Sequence, residues 1–475
     1  MLNRNTLSSG FYLSNWLAVI PLLIMVLPTI YLSTKGVLSA EMMVTFGVIG
    51  LMVGALLSRD SKSYWGVAAK SLAEPTGILI LKLFLIVGIY SQMLTEAKLT
   101  DGIIWLTTSL QLDAALYPLF VYVICSILGT AMGTSLGTIM VMTPILYPAA
   151  YSVGAEPFLV LGAILSGAAT GDHFAPVSDT TIISSSTQSY KSKEGCAEVS
   201  DVVKGRFKYV IPAFVLACIG YVVCGYSLTT EQLQPPQLAS TLTANPLGLV
   251  MLLPMCVVVG CAVAGKSVYD SLTWGIVLGL VLALSTGLLT PHQLLYVEQR
   301  TVKGVLVEGV TKNINTIMMI LLMMGAYGIM KAYGVLQLIV DKLQAAFART
   351  VQKAELTMMA ITLLLSLLLI GLNTRVTAIA GPIVNELGAK FNIHPVRRAN
   401  LLDATANSLS YIVPWNVWPL IMIMFVKSLL PEYPFLAVPN STIFFVFTFY
   451  PLMILAVMTF SVLTGKGRKQ EEEKL

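Results

Sequence analysis

Apolar runs long enough to cross a lipid bilayer recur along almost the whole 475-residue chain, and no other feature narrows its fold so far. A spanning helix needs about 20 mostly apolar residues. Phe11–Leu32, Met42–Leu57, Gly77–Leu94, Tyr209–Tyr226, Gly248–Ala264, Trp274–Leu289, Ile314–Met330, Leu356–Leu372 and Ile443–Leu463 all read as candidate spans. Only 11% of the residues are charged, against about 25% in soluble proteins, so lipid rather than water must face most of the surface. The predicted fold is all-α, a polytopic membrane helical bundle of about 10–13 segments. The first run is long and has no small-residue cleavage site, so it reads as the first span and not as a signal peptide.

The basic residues orient the chain. Lys191, Lys193, Lys204, Arg206 and Lys208 fill the loop Tyr190–Lys208, Arg59, Lys62 and Lys70 the loop Ser58–Glu74, and Lys466, Arg468 and Lys469 the tail. Lys- and Arg-rich loops stay on the cytoplasmic side. Ser227–Asn245, which holds Glu231 and no Lys or Arg, is then expected outside, in a multi-pass protein of the cell inner membrane. The scattered basic residues alternate with acids, which speaks against nucleic acid as a partner. The six cysteines form no CxxC pair and the three histidines lack ligand spacing, so no cofactor is expected. No GxxxxGK[ST] loop is present either, and coupling to an ion gradient rather than to ATP, with no enzymatic activity, follows.

The chain reads as two halves, 1–228 and 229–475, that echo each other. Gly88-Ile89-Tyr90 and Gly325-Ala326-Tyr327 each sit near the end of an apolar run. Each is followed by a short amphipathic stretch, Gly102–Leu112 and Leu336–Phe347, and then by an apolar run ending in a small-residue break. The first breaks are Gly133–Thr138 and Asn373–Thr377. A second polar interruption follows each, Thr170–Thr181 within 130–190 and Leu402–Asn416 within 371–418. Paired interruptions at matching places in two halves point to a transporter's binding site. An odd number of spans between the halves would make them inverted repeats.

A charge inside a membrane segment costs at least ~2.5 kcal/mol, so each one kept there needs a reason. Asp172 and Asp179 are seven residues apart among Gly171, Pro176, Ser178, Thr180 and Thr181. Gly and Pro are expected to break the helix and free backbone carbonyls there. Asp403 is the counterpart in the second half, with Thr405, Asn407 and Ser408 beside it and Asn416 beyond Pro414. Carboxylates, hydroxyls and carbonyls are hard oxygen ligands that suit a small alkali cation. The candidate cation and proton site therefore comprises Asp172, Asp179, Ser178, Thr180, Asp403 and Asn407, with Thr134 and Thr374 at the first breaks. Na⁺ is expected at Asp172, Asp179 and Asp403. A buried carboxylate accepts H⁺ or Na⁺ in competition, which yields exchange. Arg375 is suited to a carboxylate-bearing solute, or to pairing with Asp403 or Glu386. His173 is either a proton relay or a hydrogen-bonded structural residue, and Asn416 is a further candidate solute contact.

The pattern Gly171-Asp172 through Ser178-Asp179-Thr180-Thr181, with Gly133–Thr138 upstream and Asp403 and Pro414-Trp415-Asn416 downstream, resembles the NhaC-type sodium/proton antiporters of the ion transporter superfamily. The resemblance covers most of the chain. It implies inverted repeats with broken helices and re-entrant hairpins, and exchange of external protons for internal sodium. The chain differs from the pattern at His173-Phe174-Ala175, at Leu402 and at Ile182-Ile183-Ser184-Ser185. The expected function is Na⁺/H⁺ antiport. The alternative is Na⁺- or H⁺-coupled transport of an amino acid or organic anion. An intramembrane aspartyl protease would need two carboxylates sharing a proton, which hydroxyl-rich surroundings repeated in both halves suit less well. The expected partners are the bilayer and small ions, with a homodimer also compatible with the sequence.

Overall fold

The computed structural model describes residues 10–34, 40–72, 75–109, 113–175, 178–228, 245–264, 266–298, 300–335, 338, 349–369, 373–431 and 433–471. Pro176, nearly all of Leu336–Phe347 and most of Ser227–Asn245 lie outside the described residues. The described residues are mostly helical, in keeping with the all-α membrane bundle expected from the sequence. In chain order the helices are α1 (Ile20–Thr34), α2 (Ala40–Leu57), α3 (Ser61–Leu72), α4 (Pro75–Glu96), α5 (Leu99–Ser109), α6 (Tyr117–Met132), α7 (Ser135–Val153), α8 (Pro157–Phe174), α9 (Asp179–Ser186) and α10 (Val199–Leu228). There follow α11 (Leu252–Val263), α12 (Val268–Ser285), α13 (Pro291–Leu294), α14 (Val305–Thr311), α15 (Ile314–Ala332), α16 (Val351–Leu368), α17 (Asn373–Lys390), α18 (Pro395–Leu409), α19 (Val417–Leu429), α20 (Ile443–Phe447) and α21 (Phe449–Thr464). Among the described residues the sheet is one antiparallel hairpin, β1 (Tyr296–Glu298) with β2 (Thr301–Lys303).

Among the described residues five helices are long and apolar enough to cross a membrane, and a sixth span arises if α8 and α9 count as one bent segment. Shorter apolar helices of 10–17 residues accompany them, among them α6 and α19. The expected span Ile443–Leu463 divides at Thr448, whose backbone (φ −93°, ψ 79°) is not helical. The expected span Tyr209–Tyr226 begins ten residues earlier, at Val199, so half of the predicted basic loop is helix.

The chain forms two compact units. The first comprises residues 1–84 and 313–349. There Phe11 packs edge-on against Tyr64 and Tyr333, in a core shared with Ala18, Ala55, Ala68 and Ile329.

The second unit, residues 85–312 and 350–475, carries the polar breaks named above. Its centre is α7 and α8, which are buried along most of their length on every face. Helices α6 and α8 approach closely because glycines face the contact: a Cβ on Gly171 would fall on the backbone of Gly129 and Thr130, and one on Gly167 on Cys125 and the Tyr122 carbonyl. Small residues are what allow this in a membrane, where van der Waals packing rather than hydrophobicity drives association. Gly171 therefore does not break the helix as expected from the sequence; α8 continues to Phe174. The axis then turns by 42° into α9. By contrast α10 is buried along one stripe, Val202, Arg206, Tyr209, Ala213, Ala217, Tyr221 and Gly225. Helix α18 combines burial with polarity: Arg397, Arg398, Asn400, Asp403, Thr405, Asn407 and Ser408 are all inside.

Candidate functional site

Four helix ends in the second unit bring the polar residues together. Helix α6 stops at Gly133, in the left-handed region at φ 63°, and α7 restarts at Ser135. Ser135 thereby lies beside the last turn of α8, where its hydroxyl is 3.0 Å from the Ala168 carbonyl and 2.5 Å from Asp172 Oδ2. On the other side, α18 loses helical geometry at Asn407 (φ −88°, ψ 18°) and ends at Leu409. The turn beyond it presents Tyr411, whose hydroxyl donates to the same Oδ2 at 3.2 Å and lies 2.5 Å from Ser135 Oγ. Tyr411 is held by stacking on Trp418 at 5.2 Å and 7°. Asp172 is 6% exposed, and among the described residues its Oδ1 has no hydrogen-bond partner.

Asp403 is fully buried and differently furnished. Oδ2 accepts from Thr181 at 3.1 Å and pairs with the Arg206 guanidinium, while Oδ1 accepts from Asn407 at 2.8 Å. Arg206, 1% exposed, spends its remaining donors on Asn400 Oδ1 (3.0 Å), Thr181 Oγ1 (2.8 Å) and the His173 carbonyl (3.3 Å). The two carboxylates are joined by side-chain amides. Asn373 donates to the Tyr411 hydroxyl at 3.2 Å and to Asn407 Oδ1, and Asn407 donates to Asp403 and, at 3.2 Å, to Thr180. Thr180 in turn lies 3.1 Å from Ser178.

Of the residues expected from the sequence, Asp172, Ser178, Thr180, Asp403 and Asn407 thus belong to one buried hydrogen-bonded assembly. Asp179 stands exposed on the first turn of α9. Among the described residues no group of three or more His, Cys, Asp or Glu side chains is placed to hold a metal ion. Thr134 precedes α7 and is half-buried, with its carbonyl accepting from Thr138. Thr374 is half-buried and Arg375 buried in the first turn of α17. His173 is buried, with Nδ1 2.7 Å from the Tyr450 hydroxyl. Asn416 is buried ahead of α19 and donates to the Leu409 carbonyl at 3.2 Å.

Arg206 corrects the sequence reading. The sequence puts it in a cytoplasmic basic loop, whereas it lies inside the protein as the ion-pair partner of Asp403, a pairing that the sequence offers to Arg375. The signal was present: stepping back from Ala217 and Ala213 at helical spacing reaches Tyr209 and Arg206, not Lys204 or Lys208. Ser135, Thr181, Asn373 and Tyr411 were missed as site residues because each is an ordinary hydroxyl or amide until a helix end aims it.

A multi-pass apolar bundle with polar residues gathered at interrupted helices is the architecture of a secondary transporter. The chain belongs to the Na⁺/H⁺ antiporter family, whose model it matches over residues 7–226 and 193–457. An uncharacterized protein of Haemophilus influenzae is 34% identical over 113 residues, 23% of this chain and 20% of that protein; the match spans about a fifth of that relative's length. Among solved structures, the YdaH transporter of Alcanivorax borkumensis aligns with a TM-score of 0.38 and 13% identity, over 83% of this chain and 88% of that one. MtrF of Neisseria gonorrhoeae aligns with a TM-score of 0.37 and 13% identity, over 82% and 86% of the two chains.

Proposed function

We propose that this protein is a Na⁺/H⁺ antiporter of the cell inner membrane in which the two cations compete for the Asp172 carboxylate. The observation that carries the reading is the contrast between the two buried aspartates. Asp403 has its charge balanced by Arg206 and both oxygens engaged. Asp172 has two hydroxyls on one oxygen and none of the described residues on the other. A hydroxyl both donates and accepts. Ser135 and Tyr411 therefore donate to the bare carboxylate and, by rotating, offer their oxygens to Na⁺. A bare charge at this depth is costly, so Asp172 passes between faces carrying one cation or the other. The amides of Asn373 and Asn407 tie that choice to the Asp403–Arg206 pair, which we assign a positioning role.

The test is exchange in proteoliposomes given an outwardly directed pH gradient and then Na⁺. The native protein is expected to move protons on Na⁺ addition, and Asp172→Asn, shown to be folded by its elution profile, to abolish the response. Unchanged exchange in that variant would end the assignment.

A further inference from the structure

At one end of the second unit an open cleft of about 740 Å³ lies between the N-terminal ends of α10 and α18 and the tail that follows α21. We infer that this cleft binds a phosphate-bearing anion. Lys193, Lys208 and Lys469 line it from three separate segments, together with Arg397. Arg397 is nine-tenths buried or more, and among the described residues its Nη2 has no hydrogen-bond partner, although Nε meets Glu355 at 2.8 Å and Nη1 meets Tyr209 and Ser461. A buried guanidinium with a donor to spare, in a cleft that three lysines also line, offers donors that phosphate oxygens take.

Two carboxylates also line the cleft, Asp201 and Glu471. Glu471 Oε1 is occupied by the Lys191 and Ser192 N–H groups and the Ser192 hydroxyl, at 2.7–2.9 Å. Asp201 is exposed. The balance of charge stays positive, and the volume exceeds that of a bare inorganic ion, so the fitting ligand carries its phosphate on a larger body. A soluble organic phosphate and an anionic lipid headgroup share that chemistry.

The cleft is coupled by position to the buried aspartates. Arg397 and Asn400 line it, and Asp403 and Asn407 follow along the same helix. Asn400 accepts from Arg206, the partner of Asp403.

The experiment uses the full chain and reads binding, so it stands apart from whether Na⁺ is the transported cation. Thermal stability is measured in detergent with inorganic phosphate against chloride at equal ionic strength. It is measured again in nanodiscs of phosphatidylcholine with or without 30% phosphatidylglycerol. Stabilisation by phosphate or by phosphatidylglycerol is expected in the native protein and identifies the source. In Lys208→Gln/Lys469→Gln the apparent affinity is expected to fall at least tenfold. No stabilisation by either probe, or an equal response in the double variant, would overturn the site.

Discussion

Arg206 and Asp403 are two charges whose burial only their pairing makes tolerable. Losing one partner of a buried pair leaves the other uncompensated, at a cost of about 3–5 kcal/mol. Arg206→Gln and Asp403→Asn are each expected to lower unfolding free energy in SDS titrations by that order. Their combination should cost clearly less than the sum of the two; strict additivity would show that the residues do not act as a pair. At Asp172 the prediction concerns affinity. Hydrogen bonds to a charged group are worth about 1.5–3 kcal/mol. Ser135→Ala and Tyr411→Phe should therefore each raise the Na⁺ concentration for half-maximal exchange about tenfold or more, while leaving the fold intact. The aspartates were legible in the sequence because a carboxylate in an apolar run demands an explanation. Their surroundings were not, since serine, tyrosine and asparagine are unremarkable until their partners are known.

At the scale of elements, close helix packing and the docked tail make separate demands. Gly171→Ala would drive a methyl into the Gly129 backbone, and the variant should lose thermal stability and exchange together. Gly66→Ala, with nothing within 4 Å of the added carbon, should be silent. The tail after α21 lies across two loops that carry site helices. The His394 N–H donates to the Lys469 carbonyl and the Glu471 N–H to the Asn392 carbonyl, at 2.9 and 2.8 Å. Burial alone would raise the Glu471 carboxyl, but Ser192, Lys191 and Arg398 outweigh it and hold it below its ordinary value. His394, desolvated and beside Lys469, is also held low. Groups with depressed folded pKa values stabilise the fold above their unfolded values, about 6.5 for His and 4.3 for Glu. That stabilisation is lost as pH falls through the folded values. The Glu471 and His394 amides should therefore exchange hydrogen more readily, after correction for intrinsic rates, as pH drops from about 6.5. Glu471→Gln should flatten the acidic part of that dependence. Apolar runs announced the long helices, but they missed the polar first turns of α10 because hydropathy averages over faces.

For the whole molecule, charge placement predicts orientation. The loop Tyr190–Lys208 and the tail were assigned one side by their lysines and arginines, and the structure brings them into contact, with Lys208 Nζ 3.1 Å from the Gly467 carbonyl. Cys196 is exposed in that loop. In a variant retaining Cys196 as its sole cysteine, a membrane-impermeant maleimide should label inverted vesicles and not intact cells; labelling of intact cells would reverse the orientation. Sequence by itself determined that this chain crosses a membrane many times and keeps aspartates at interrupted helices. Both follow from transfer costs that depend on residue type alone. Tertiary structure decided which aspartate is paired with an arginine and, among the described residues, which keeps an oxygen without a partner. Arg206 reaches Asp403 across almost 200 residues of chain, and a hydroxyl from each of two distant turns reaches Asp172. Such pairings depend on where helices end and which face they turn inward.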